Sequence, residues 1–184
     1  MLNNNYILTT PRLGLRNWLP SDETPFIEMC QDREVMRYFP SLLSAEESLA
    51  LIERLKAHHK KHGFTYFAVD VLETGEFIGF CGLAVQAWQS EFTPGVDMGW
   101  RLKKSAWGKG YATEAAKTCL HAAEHTFDLQ EVLAFTPDLN LSSQHVMKKI
   151  GLEFAGTFQH PKIANDNRFK TCVAYKKTFF KTEG

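Results

Sequence analysis

Apolar and polar residues alternate with period two near the middle of the chain. Val96, Met98, Trp100 and Leu102 are separated by Asp97, Gly99 and Arg101, the pattern of a strand with one buried face over 95–102. After a short glycine-bearing connection the period changes. Ala112, Ala116, Cys119, Leu120, Ala123 and Phe127 recur at helical spacing and predict a helix over 110–127. Upstream, Ile7, Leu8, Leu13 and Leu15 predict one strand over 7–17, followed by a helix that starts at Ser21–Glu23 or at Thr24–Pro25 and runs to Cys30. Val35 to Tyr38 reads as a short second helical piece.

The next helix is well punctuated. Ser44 and Glu47 form a capping box, Leu51, Ile52, Leu55 and His59 share one face, and Gly63 follows a last turn of Lys60, Lys61 and His62. Strands over 64–72 and 77–86 are joined by a turn at Glu73-Thr74-Gly75-Glu76. Val132 to Thr136 reads as a strand, Asn140 caps a helix that stops at Gly151, and strands over 153–159 and 169–178 close the chain. The order β-α-α-β-β-β-α-β-α-β-β implies a mixed α/β domain, with an antiparallel front half and a β-α-β crossover in the middle. No repeat or Pro/Gly/Ser-rich linker divides it, so the 184 residues read as a single domain with a core over about 8–178.

Bulk properties narrow the partners. There are 21 basic and 21 acidic residues, so no net positive field favours nucleic acid or an anionic membrane. No apolar run is long enough to cross a bilayer, and Met1–Asn5 lacks the basic start and apolar core of a signal peptide. Cys30, Cys81, Cys119 and Cys172 show no C-x-x-C spacing, and two of them lie in apolar segments. Reduced, buried thiols in a cytoplasmic protein are the expectation.

The strongest chemical signal is Trp107-Gly108-Lys109-Gly110-Tyr111-Ala112, between the strand and the long helix. Glycines let backbone curl close to a ligand, and the free N–H groups of a first helical turn attract an anion. A P-loop is excluded because Gly110, not Ser or Thr, follows Lys109. A dinucleotide fingerprint fails at its third small position, where Thr113 stands. A plain glycine-rich connection remains as the non-functional reading.

This loop resembles the pyrophosphate-binding loop of the GCN5-related N-acetyltransferase (GNAT) superfamily, Q/R-x-x-G-x-G/A. Gly110 and Ala112 match its small positions, and Trp107 replaces its Gln or Arg. The form Trp-Gly-Lys-Gly-Tyr-Ala-Thr-Glu-Ala is similar to that of the ribosomal-protein N-terminal (RimJ/RimL-like) acetyltransferases. Asn140 to Leu152 resembles the superfamily's N-x-x-S-x-x-x-x-x-K-x-G-[FLM] segment. Thr10-Pro11-Arg12-Leu13-Gly14-Leu15-Arg16 and Asp32 to Tyr38 resemble T-x-R-L-x-L-R and D-x-E-V-M-R-Y of the same branch. The resemblance implies a GNAT fold: a central, mostly antiparallel sheet with a splayed parallel strand pair and flanking helices. It implies acetyl-CoA as acyl donor, no metal, and direct transfer to a primary amine. The branch favours a protein N-terminal α-amine. Small amines, amino acids or antibiotics are the alternative acceptors, and a degenerate acyl-CoA-binding module without turnover is the alternative class. Resembling proteins occur as monomers and as dimers, so a homodimer is open.

The resemblance also assigns roles. Strands 95–102 and 132–136 would part to admit the pantetheine arm, with the backbone of Trp100, Arg101, Leu102 and Lys103 bonding it. N–H groups from Gly108, Lys109, Gly110, Tyr111, Ala112 and Thr113 would hold the pyrophosphate, with Lys109 either adding charge or lying in solvent. Asn140 would bond the cofactor arm. Ser143 would protonate the leaving thiolate, or serve only as a first-turn helix serine. Asp97 would draw the proton from the amine, or be an ordinary outward polar residue. Tyr175 is a further candidate acid that sequence does not place. His58, His59, His62, His121 and His125 offer i, i+4 pairs without a third ligand, so a cationic helix end fits the first group better than zinc. Phe39-Pro40 and Trp88 either fill core or wall the acceptor site.

Overall fold

The computed structural model describes residues 6–179, so the Met1–Asn5 reading lies outside the described residues. Eight strands and four α-helices alternate as β1 Tyr6–Thr9, β2 Leu13–Arg16, α1 Glu23–Gln31, α2 Ala45–His62, β3 Tyr66–Val71, β4 Glu76–Ser90, β5 Thr93–Leu102, α3 Tyr111–His125, β6 Glu131–Pro137, α4 Leu141–Lys149, β7 Glu153–Gln159 and β8 Thr171–Thr178. All strands join one sheet in the order β1-β2-β3-β4-β5-β6-β8-β7. Every neighbouring pair is antiparallel except β5 and β6, which are parallel and connected through α3. This is the mixed α/β arrangement that the element order implied.

Two expectations about secondary structure need correction. The single first strand is a hairpin. Thr10 N–H donates to Leu13 O at 2.9 Å while Thr10 Oγ1 accepts from Leu13 N–H at 2.8 Å. The Thr-Pro-Arg step between the apolar pairs folds the chain back instead of extending it. The segment after α1 is a set of turns, not a helix. Asp32 Oδ1 accepts from Glu34 N–H at 2.7 Å, an Asx turn that competes with helical bonding.

Elsewhere local signals hold. Ser44 and Glu47 bond each other's backbone N–H groups, and Gly63 closes α2 at φ 80°, a left-handed end that favours glycine. His58 departs from the expected cationic turn. Its Nδ1 bonds Phe64 O at 2.8 Å and its Nε2 accepts from Val85 N–H at 2.9 Å. Burial lowers its pKa, so it works as a neutral bridge between α2 and the sheet.

The sheet separates two cores. On one face Leu13, Leu15, Val69, Met98 and Leu102 meet Ala115, Ala116, Cys119 and Ala123 of α3, whose small side chains bring the helix close to the strands. On the other face Trp18, Phe26, Ile52, Leu55 and Phe80 join α1 and α2 to β3 and β4. Buried Arg16 ties this face together. It donates to both carboxylate oxygens of Asp70 and both of Asp22, at 2.7–2.9 Å. Two carboxylates surrounding one guanidinium compensate its desolvation, and losing one partner of such a group costs about 3–5 kcal/mol. The four cysteines are buried and free.

Candidate active site

β5 and β6 meet as a parallel pair at Asp97↔Leu133. Beyond that point β5 follows β4 to the Gly79↔Leu102 pair, and β6 follows β8 to Pro137↔Cys172. The two strands therefore part, and a cleft of about 870 Å³ opens between them, a volume typical of small-molecule sites. Lys103 N–H donates to Ile78 O at 2.9 Å on β4. Alternation along an antiparallel ladder then turns the backbone of Arg101 and Lys103 toward β4 and that of Trp100 and Leu102 toward the opening. Trp107 stands at the end of this edge. Its indole N–H donates to Leu102 O at 2.8 Å, which pins the loop to the strand.

The mouth of the cleft is the start of α3. Gly108 has φ 72° and Gly110 has φ 80°, conformations that a Cβ disfavours. Gly110 is the N-cap residue and no side chain caps the helix, so its first-turn N–H groups are left for an external acceptor. The Thr10–Arg12 turn holds this end in place. Glu114 accepts from Thr10 Oγ1 at 2.6 Å and from Arg12 Nε at 2.7 Å, and the Arg12 guanidinium lies 4.6 Å over the Tyr111 ring. Partial burial of the Glu114 carboxyl works against these bonds, yet they hold its pKa below the ordinary value.

The floor of the cleft carries a polar triad. Asp97 is buried; its Oδ1 accepts from Tyr66 Oη–H at 2.6 Å and from Gln86 Nε2 at 3.0 Å. Burial pushes the Asp97 pKa up to about 6, against the two hydrogen bonds that favour its charged form. Burial first, and Asp97 second, push the Tyr66 phenol well above its ordinary range. Gly99 makes this contact possible. A Cβ there would stand 3.0 Å from the Tyr66 ring, so the phenol lies across the glycine to reach Asp97.

The opposite wall is the β6–α4 junction. Asn140 Nδ2 donates to Thr136 Oγ1 at 3.0 Å and to Ser143 Oγ at 3.1 Å, while Asn140 Oδ1 accepts from Ser143 N–H at 3.3 Å. The Ser143 hydroxyl is thus held as an acceptor, with its own proton left free to be donated. Tyr175 is buried on β8, where its hydroxyl donates to Gln144 Oε1 at 3.2 Å; it does not line the cleft.

Residues 12–153 match the family model described as an acetyltransferase (GNAT) domain. The chain belongs to the GNAT acetyltransferase family. Among its relatives, the Bacillus subtilis protein YkkB is 28% identical over 159 residues, covering 86% of this chain and 91% of that protein. The N-acetyltransferase YnaD of Bacillus subtilis is 28% identical over 153 residues, covering 83% and 85%. In fold, this GNAT chain is similar to a Bacillus anthracis GNAT-family acetyltransferase at TM-score 0.76 and 23% identity, covering 93% of this chain and 97% of that one. It is also similar to RimL, a ribosomal L7/L12 α-N-protein acetyltransferase solved with coenzyme A, at TM-score 0.74 and 14% identity, covering 95% and 98%.

One GNAT cleft gathers Asp97, Trp100, Arg101, Leu102, Gly108, Gly110, Tyr111, Ala112, Thr113, Asn140 and Ser143. Lys103 and Lys109 stand outside its lining. Lys103 pairs with Glu76, and the Lys109 ammonium lies 6.0 Å from the Tyr111 ring. Phe39, Pro40 and Trp88 also line the cleft, with Trp88 packed on Phe158 at 5.7 Å and on His160 at 4.6 Å. Sequence reasoning did not single out Tyr66, Gln86 or His160. The available signal was weak: Tyr66 and Gln86 occupy neighbouring strands, and only the register across β3, β4 and β5 brings them to Asp97.

Proposed function

We propose that this GNAT protein transfers the acetyl group of acetyl-CoA directly to a primary amine. The observation that carries this reading is the buried Asp97 carboxyl, with a pKa near 6, at the point where β5 and β6 part. The Trp100 N–H faces the opening and can bond the thioester arm, polarising its carbonyl. The first turn of α3, kept free of a side-chain cap and braced by Glu114, receives the pyrophosphate. Asp97 accepts the proton that the amine must lose before it attacks, directly or through one water. Tyr66 and Gln86 hold the carboxylate in orientation. The amine nitrogen bonds to the acetyl carbon, the carbon–sulfur bond breaks, and Ser143 gives its hydroxyl proton to the departing thiolate while the proton shed by the newly acylated nitrogen, directly or through water, restores that hydroxyl. No covalent enzyme intermediate is required, because both substrates meet in the same cleft.

The test is release of free thiol from acetyl-CoA over a panel of acceptors. The panel holds small primary amines, amino acids, and peptides with free α-amino groups. Release with peptides would point to a protein N-terminus, and release with small amines to the other acceptor class. Acetyl-CoA that raises the melting temperature without thiol release on any acceptor would refute turnover and leave a binding module.

A further inference from the structure

The cleft contains a cation without a counter-charge. Arg101 lies four positions beyond Asp97 on β5, so both side chains leave the same face of the strand. Its Nη1 donates to Cys30 Sγ at 3.2 Å, and its Nε is enclosed with no partner. The guanidinium lies 4.2 Å over the Phe39 ring and 5.3 Å from the Phe80 ring. Among the described residues, the groups acting on its charge are the Cys30 thiol and the Tyr66 phenol, and no carboxylate pairs with it. Arg16 provides the internal contrast, with both carboxylates of Asp22 and Asp70 around its guanidinium. Burial drives the Arg101 pKa down, the direction expected for a cation short of an anion. Arg101 is half-buried in the cleft wall, and a guanidinium there without a counter-ion favours an anionic ligand.

We propose that Arg101 docks an oxyanion, carboxylate or phosphate, carried by the amine acceptor. This rests on the acetyl-transfer reading above. The Phe39 and Phe80 rings pack against the guanidinium and limit its freedom, and Arg101 lines the cleft, so an oxyanion that enters meets a positioned cation. Four strand positions separate Asp97 from Arg101, roughly 13 Å between Cα atoms. The amine and the oxyanion therefore sit at opposite ends of a chain of several bonds. The approach carries more basic than acidic groups. A neighbouring cavity of about 540 Å³ is lined by Arg33, Arg37 and Arg168 against Asp166, and Glu34, which lines the cleft, pairs with Arg37 and Lys104 at 3.9 Å. Phe39 and Arg37 line both cavities.

The experiment measures binding, so it does not depend on turnover. Protein saturated with coenzyme A is titrated calorimetrically with 5-aminopentanoate, 4-aminobutyl phosphate and the neutral pentylamine. Wild-type protein is expected to bind at least one anionic amine roughly tenfold more tightly than pentylamine, as a charge-assisted contact predicts. Which of the two binds better separates carboxylate from phosphate. In Arg101→Gln the anionic-to-neutral ratio is expected to fall to about one, with a ligand-free melting temperature no lower than wild type. Arg101→Lys, which keeps the charge without the fork, is expected to retain part of the ratio and serves if the first variant does not fold. Equal affinities in wild type, or a preference that survives Arg101→Gln, would overturn the proposal. Thiol release from neutral amines together with equal affinities removes the oxyanion site and leaves acetyl transfer intact. An Arg101-dependent preference without thiol release from any acceptor does the reverse.

Discussion

Replacing Asp97 by asparagine separates two effects that one carboxyl exerts on this protein. In the folded state its pKa is about 6, against 3.8 for an unperturbed aspartate. Below the lower value both states carry the proton and the group contributes no difference. Between the two values the unfolded chain is ionised while the folded chain still holds the proton, so stability falls as pH rises. Above the higher value both are ionised and the loss levels off. A gap of about two pH units corresponds to about 3 kcal/mol of stability lost between pH 4 and pH 7. Asp97→Asn cannot ionise and removes that component. Urea unfolding followed by circular dichroism at pH steps from 4 to 8 measures it as the difference between wild type and variant, because all other titrating groups cancel. In the proposed mechanism the same carboxyl must be ionised to accept the amine proton. Wild-type kcat/KM is therefore expected to rise through a limb near pH 6, and Asp97→Asn to lose that limb together with about 10²–10⁴-fold of rate. A wild-type-minus-variant stability difference that stays flat, or a pH–rate limb that persists in the variant, would refute the reasoning.

Other substitutions probe the same cleft from its remaining sides. Tyr66→Phe removes a 2.6 Å hydrogen bond that favours the charged carboxylate, so the acid limb of the pH–rate profile moves to higher pH; a limb that stays in place counts against the Tyr66–Asp97 coupling. Ser143→Ala is expected to lower kcat by about 10²-fold, the lower end of the range for proton transfer, while acetyl-CoA still raises the melting temperature as in wild type. Equal losses of turnover and binding would remove its acid role. Gly110→Ala places a Cβ at φ 80°, which costs about 1–2 kcal/mol and is expected to raise KM for acetyl-CoA more than it lowers kcat. An unchanged KM would show that the α3 start does not hold the donor.

Much of the fold could be read locally, and the reasons are specific. The capping box at Ser44, the glycine end at Gly63 and the Asn140 cap are built from residues within four positions of one another, so their energetics are complete in a short peptide. The period-two run of β5 was legible because its apolar residues share the face that meets α3, although Asp97 on the other face is buried too, and the helical run of α3 because it buries one face. The Thr10–Arg12 segment was misread because its apolar neighbours on both sides suit one longer strand. What folds it back is pairing of β1 with β2 and the contact with Glu114, more than a hundred residues away in sequence.

The chain alone determined most of the helices and strands, where several of them end, and which loop carries the glycines that an anion site would need. Those properties follow from side-chain spacing, caps and the backbone freedom of glycine, all of short range. Tertiary structure decided the rest. It parts β5 from β6 after Asp97, lays Tyr66 across Gly99 onto that carboxyl, and packs Arg101 against the Phe39 and Phe80 rings with no carboxylate paired to it among the described residues. The physical reason is that desolvation and hydrogen bonding depend on which distant atoms surround a group, and an aspartate or arginine written in a sequence carries no record of its neighbours.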